Sequence, residues 1–452
     1  MNATPWYSRT HAALPPLSRR GFLWLGAGAA TAYLAGCGGG EGVGGAAEGE
    51  GVGGFSGEAY SGPDVTLDYW NGFTGGDGPA MRALVKKFDA EHDNIAIKNN
   101  SISWPDFYQQ LPAATQAGKG PDVGVMHLDQ IATNAARGVI VPLDDLAEAL
   151  DLTEDNFAPS VWGPGIYEDQ RYSIPFDVHT IAMYYNKEHF KEAGISEPPT
   201  DAASLDEALQ KLQQAGFDQP FWMPNLWPAH LMFLSLLWQF GGEPYGGDGT
   251  EATFGSEAGV QALTWMVEQI DKGYSPTNVE ADAQYTAFKN GDTSITWDGI
   301  WQINDLQDSG VPFGIAPIPT IGDEPAAWAN SHNFFLPSGA ADDENVANAA
   351  KTLIGWMSEQ SADWSDAGMI PALNAAREQA AFMESPQYAL KEQIGHLHFL
   401  SPVPGLGEVT PETIEVAVNE AVLGTKSVED ALADAQEDAA KLVEDVLEQY
   451  QG

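Results

Sequence analysis

A chain of 452 residues is long enough for two or three domains with substantial cores, and 43% hydrophobic residues with 14 Trp exclude a disordered polymer. Its 64 acidic residues against 20 basic ones leave a net charge of −44, which repels nucleic acid and excludes DNA or RNA as a partner. The acids are spread through every segment, the pattern of a halophilic protein whose surface carboxylates hold hydrated cations in concentrated salt.

At the N-terminus, Ser18-Arg19-Arg20-Gly21-Phe22-Leu23 resembles the twin-arginine export motif. The apolar run over residues 22–35 is too short and too early for a settled membrane-spanning helix. It ends in Leu34-Ala35-Gly36-Cys37, which resembles a lipobox, the site where a cysteine thiol is lipidated. Cys37 is the only cysteine, so intrachain disulfides, CxxC redox pairs and thiolate zinc sites are excluded. The expectation is a leader over residues 1–37, a lipid anchor on Cys37 that holds the protein to the membrane, and a Gly-rich flexible tether over residues 38–63.

The body opens with an alternating strand, residues 65–70, and a Gly-rich turn, residues 71–78. That turn lacks both GxGxxG and a terminal GK[ST], so it is no nucleotide-phosphate cradle. Pro79 suits the first turn of a helix reaching His92. A strand over 95–102, a helix over 107–118, a strand over 121–126 and a helix ending at Gly138 continue the alternation. The pattern predicts a largely parallel sheet with its ligand beyond the strands' carboxyl ends, where Trp70, Asp129 and Asp177 fall. Residues 174–185 are β-branched and aromatic and predict a further strand. Asn186 then caps a short helix that Gly194 stops. Ser204 and Glu207 have capping-box spacing for a helix carrying Leu205, Leu209 and Leu212, with Gly216 as its end. The aromatic stretch over 221–238 reads mostly as core. Ser427 and Asp430 start a long helix with Leu432, Leu442, Val446 and Leu447 on its apolar positions.

Pro175-Phe176-Asp177, then Ala182-Met183-Tyr184-Tyr185-Asn186 after four residues, then Phe190 and Glu192, resemble the signature of family 1 extracellular solute-binding proteins. Phe288-Lys289-Asn290-Gly291-Asp292, Trp297-Asp298-Gly299-Ile300-Trp301, residues 330–337 and Gly368-Met369-Ile370-Pro371 follow in that family's order. The resemblance thus covers nearly everything from Val65 onward. It implies an α/β, two-lobe, periplasmic-binding-protein type II-like fold with crossovers near Tyr184, His332 and Gly368 and a central cleft. The N-lobe would comprise 64–183 and 333–367, and the C-lobe 184–332 and 368–452. It further implies a non-enzymatic, extracytoplasmic protein without cofactor. Such a protein closes on a small-molecule carbohydrate and hands it to the transmembrane subunits of an ABC importer.

Sugar recognition needs aromatic faces for the C–H surface and carboxylates or amides for the hydroxyls. The sequence sets such residues together repeatedly, Trp70 with Asn71, Asp129 with Gln130, Asp177 with His179, Asn225 with Trp227, Asp298 with Trp301, and His332 with Asn333, and these are the candidate ligand contacts. Trp301 resembles the stacking Trp of the maltose-binding branch, but a core Trp at a helix start would read the same. Asp129 is either a hydroxyl binder or a helix N-cap, and Trp297 reads as core. A lipid-anchored glycosidase is the alternative, although among 64 acids any chosen carboxylate spacing arises by chance. His396 and His398 are a tempting metal pair, but two ligands without a third make no site, and no metal is expected.

Overall fold

The computed structural model describes residues 55–450; the twin-arginine motif, Cys37 and residues 38–54 of the expected tether lie outside the described residues. The first strand, Val65–Asn71, turns Leu67 and Tyr69 inward. The helix Gly78–Glu91 lays Met81, Leu84, Val85 and Phe88 on one face to cover it, the 3–4 spacing of an amphipathic helix. Strands Ile95–Ser101 and Val123–His127 flank the first strand in parallel. The next strand is His332–Pro337, which returns from far along the chain and runs antiparallel, so only the first three strands form the parallel sheet the alternation predicts. Ile140–Val141 and Ile174–Pro175 also pair with it.

A second sheet is built on Asp177–Asn186, whose residues other than Tyr185 are all buried, as expected of a strand covered on both faces. Ile295–Gly299, Phe313–Ala316, Ala327–Asn330 and Ile370–Pro371 pair with it, all antiparallel. Its outer layer includes the helix Ala229–Gln239, buried along its whole length, and the helices Leu406–Val422 and Val428–Tyr450. One core runs across both sheets, from Leu67 and Phe88 to Ala182, Tyr184 and Ile370, and a second, with Met183, Trp297 and the helix Ala229–Gln239, lies behind the second sheet; each sheet with its helices makes one lobe.

The chain passes between the sheets three times. Ile174–Pro175 belongs to the first sheet and Asp177–Asn186 to the second, so the single strand expected over 174–185 is broken at Phe176. The Phe176 N–H bonds the His332 carbonyl and so extends the register of Pro175 opposite Asn333 in the first sheet, and from Asp177, opposite Pro371, the chain pairs in the second. The first passage therefore lies at Phe176, not near Tyr184, which pairs with Thr296 inside the second sheet. The second passage lies at Ser331, between Asn330 and His332. The third follows the helix Glu344–Glu359 and ends at Ile370.

Local differences have local causes. Residues 55–63 of the expected tether are docked: the Phe55 N–H bonds Asp145, the Tyr60 N–H bonds Thr352, and both rings rest on the first core. The helix Ala202–Gln214 is capped by Asp201, whose carboxylate accepts the Ser204 N–H at 2.8 Å, so the box pairs Asp201 with Ser204 and not Ser204 with Glu207. In the last helix Leu432 is buried, but Leu442 is exposed because Val443 takes the inward position. Asn186 caps its helix as expected, accepting the Glu188 and His189 N–H groups, and Gly194 has φ +70°.

Candidate functional site

Sheet register brings the site together. His332 lies directly opposite His127, Asn330 opposite His179, and Pro371 opposite Asp177. Three imidazoles from different chain segments thus meet where the two sheets join, with ring centroids 4.3–5.4 Å apart.

Asp177 lies beneath them, fully buried, with both oxygens occupied. Its Oδ1 accepts the His332 N–H at 3.0 Å and faces His179 Nδ1 at 3.3 Å. Its Oδ2 faces His332 Nδ1 at 2.7 Å and accepts Trp364 Nε1–H at 2.7 Å. Burial alone would push this carboxyl up, but the His332 and His179 rings and their hydrogen bonds outweigh it and hold it well below the usual carboxylate range. Burial, then the neighbouring His332, pushes His179 down to about 4. The same causes, with His179 added, hold His127 well below its ordinary value.

Aromatic rings line both sides of this cluster. From the first lobe, Trp104 stacks on His332 at 5.5 Å with 16° between planes and on Tyr108 at 5.8 Å. From the second lobe, Trp301 sits 6.2 Å from Trp227, 6.3 Å edge-on to Trp328 and 5.9 Å from His179. Between the lobes Asp129 accepts Asn330 Nδ2–H on Oδ2 at 2.8 Å, while its Oδ1 is shut off from solvent with no donor. Gln130 Oε1 is equally without a partner. Burial pushes the Asp129 carboxyl up to about 7, against the lowering effect of the Asn330 amide. Orphaned buried acceptors of this kind call for a donor from outside the protein.

The lobes meet closely around these acceptors. The Gly405 N–H donates to Thr133 Oγ1 at 2.9 Å, Arg137 pairs with Glu408 at 3.3 Å, and Asn304 Nδ2 donates to the Gly76 carbonyl at 3.2 Å. A cavity of about 10 Å³ remains, bounded by Asp129, Asn330, Trp328 and Phe399, with room for about one water. A sugar ring therefore enters only after the lobes part.

Of the residues expected from the sequence, Asp129, Gln130, His179, Trp227, Trp301 and His332 come together here. Asp177 underlies the cluster and has no oxygen left for a ligand. Trp70 stands apart, its Nε1–H on Asp68 and its ring edge-on to Phe107. Asn71 is buried and holds the following turn by accepting the Phe73 N–H and the Ser101 hydroxyl. Asn333 points to the other face of its strand and accepts the Ser173 hydroxyl. Asp298 is buried beneath the Trp301 turn, where it accepts the Gly299 N–H at 2.7 Å and Gln284 Nε2–H at 3.1 Å. Burial pushes its carboxyl up to about 7. Trp297 is core, as expected. Trp104, Tyr108, His127, Trp328 and Phe399 join the site without having been singled out. The signal for His127 was its place at the end of the third strand, two residues before Asp129.

The profile of the bacterial extracellular solute-binding protein family matches residues 74–363. The maltotriose-binding protein of Pyrococcus abyssi is 26% identical over 399 residues, covering 85% of this chain and 82% of that protein. The GacH receptor of Streptomyces glaucescens, solved unliganded and with acarbose, superposes with a TM-score of 0.75 at 21% identity over 85% of this chain and all of that one. The cyclic alpha-maltosyl-1,6-maltose binding protein of Arthrobacter globiformis gives 0.71 at 24% identity over 85% and 100%. These structures share the two-lobe α/β architecture of type II periplasmic binding proteins. With its signature in place, two sheets joined by three passages and a cleft between them, the chain belongs to the bacterial extracellular solute-binding protein family.

Proposed function

We propose that the protein captures a carbohydrate in the cleft by hinge closure and delivers it to the membrane subunits of an ABC importer. The observation that carries this reading is the gathering of Trp104 from one lobe and Trp227, Trp301 and Trp328 from the other about His332 and His179, with the unpartnered Asp129 Oδ1 beside Trp328. Flat apolar faces beside an unsatisfied carboxylate are what a pyranose needs, and the maltotriose-binding relative supports that solute class. A ligand touching both lobes favours the closed form by the difference in its contacts. The leader motif and Cys37 support export and lipid anchoring to the outer face of the membrane. Replacing Cys37 with Ser should then release the protein into the medium; a variant that still fractionates with membranes rejects the anchor.

A thermal-shift screen against a carbohydrate panel in high salt tests the solute class, since a ligand at a hundred times its Kd stabilises by about 2.7 kcal/mol. With the ligand found, Trp301→Ala should cost at least about 2 kcal/mol of binding, near thirtyfold in Kd. Asp129→Ala should cost about 1–3 kcal/mol. Unaltered affinity in both variants rejects this placement of the site. Turnover of a bound oligosaccharide would make the protein a glycosidase instead.

A further inference from the structure

We propose that His127, His179 and His332 form a site for one transition-metal ion of the zinc type at the floor of the cleft, directly joining the two lobes. This goes beyond carbohydrate capture and stands whether or not a sugar is the solute.

Each ring offers one ring nitrogen, and the three atoms lie within 4.8 Å of one another. A tetrahedral ion with metal–nitrogen distances of about 2.0–2.1 Å sets its donors about 3.3 Å apart. The rings therefore need to close by at most about 1.5 Å, a shift within reach of imidazoles carried on two lobes that move. The Nδ1 atoms are already engaged: His332 and His179 by Asp177, and His127 by the Tyr108 hydroxyl at 2.6 Å. No hydrogen bond joins any of the three Nε2 atoms to another group among the described residues. A carboxylate behind two of the imidazoles is the arrangement that orients metal-binding histidines and raises their basicity, and the Tyr108 hydroxyl fixes the third ring.

With Nδ1 of His179 and His332 turned to the Asp177 carboxylate, Nε2 is the nitrogen each ring has left for an ion, and it gives up its proton on binding where it carries one. One ionised carboxylate directly behind the rings offsets part of an ion's charge. Three nitrogen donors without thiolate favour Zn²⁺, Ni²⁺ or Cu²⁺ over Ca²⁺ or Mg²⁺. Three protein ligands leave a fourth position, and Trp301 at 5.9 Å from His179 places the solute side of the cleft beside it. The exposed His396 and the half-buried His398, which stacks on Trp238, have no such company.

The test uses the full chain, stripped with chelator and held in high salt with excess Mg²⁺ to occupy surface carboxylates. Calorimetric titration with ZnCl₂ alone, in the absence of sugar, should show one equivalent bound. His127→Gln and His179→Gln should each weaken binding at least tenfold, and His396→Gln should leave it unchanged. Wild-type protein loaded with Co²⁺ should show the intense visible bands of a tetrahedral nitrogen site, a readout needing no variant to fold. No stoichiometric uptake, octahedral Co²⁺ bands, or uptake undiminished by His127→Gln overturns the site. Because no sugar is present, failure here leaves the solute reading untouched, and failure of the sugar screen leaves the ion site untouched.

Discussion

Gly407 offers the sharpest test of closure. It lies in the first turn of the helix Leu406–Val422 on the second lobe, against Asp129 and Gln130 of the first. A Cβ there would run into Gln130 Nε2 and stand 2.8 Å from the Asp129 carbonyl oxygen and 3.1 Å from Asp129 Cγ. The Gln130 amide can swing aside, but the Asp129 carbonyl is main chain and cannot. Overpacking of this kind costs about 1–3 kcal/mol, and only while the lobes are together. Within its own lobe the substitution is favourable by about 0.5–1 kcal/mol, since Ala loses less backbone freedom than Gly in a helix. Gly407→Ala should therefore weaken ligand binding by about 5- to 150-fold at 1.4 kcal/mol per decade. Small-angle scattering should show the saturated variant wider than saturated wild type, and scanning calorimetry should show no loss of unliganded stability. A Kd within twofold of wild type would refute the reasoning, because closure would then not bring Gly407 onto Asp129.

Asp298→Asn addresses the buried carboxyl under the Trp301 turn. Because its folded pKa is raised to about 7, the folded chain keeps a proton between about pH 4 and 7 that the unfolded chain has released. Stability falls as pH rises through that window, by up to about 4 kcal/mol, and is flat above it. The Asn variant lacks this loss, and its Nδ2–H can reach Gln284 once that amide flips its partnerless Oε1 inward. Its stability relative to wild type should climb from pH 4 to 7 and then level; a pH-independent difference would show that Asp298 is charged throughout. The charge of −44 predicts a salt requirement, since screening reaches only about 3 Å in molar salt but about 10 Å in 0.1 M. Circular dichroism should lose its cooperative melt in dilute buffer, and an unchanged curve would remove the high-salt argument.

What the sequence made legible was local. The Asn186 cap, the Gly194 stop, the alternation of Leu67 and Tyr69 and the burial of Trp297 depend on near neighbours, and each could be read from them. The break at Phe176 could not, because nothing in Ile174–Asn186 reveals that Ile174 and Pro175 pair with Phe334 and Asn333 while Asp177 onward pairs in another sheet. His127 escaped notice for the same reason: its significance lies in an antiparallel register with a strand that returns much later. Trp70 shows the opposite error. It stands at the carboxyl end of a strand, as a ligand contact should, but its indole turns toward Asp68 and Phe107 on the helix-covered face. Which face a strand-end side chain takes is settled by register and packing, and residue type does not record it.

Asp177 has a mechanical consequence. Its carboxylate touches all three passages between the lobes: it opens the second-sheet strand just after Phe176, it holds His332 just after Ser331, and it accepts the Trp364 indole just before the chain reaches Ile370. Three connecting segments are thus knotted at one point, and a rotation of one lobe against the other pivots there with little slack in any of them. Neither lobe can lose its structure alone without leaving this carboxylate buried and short of donors, a penalty of several kcal/mol. With a core that also runs across both sheets, the two lobes are bound to melt as one body.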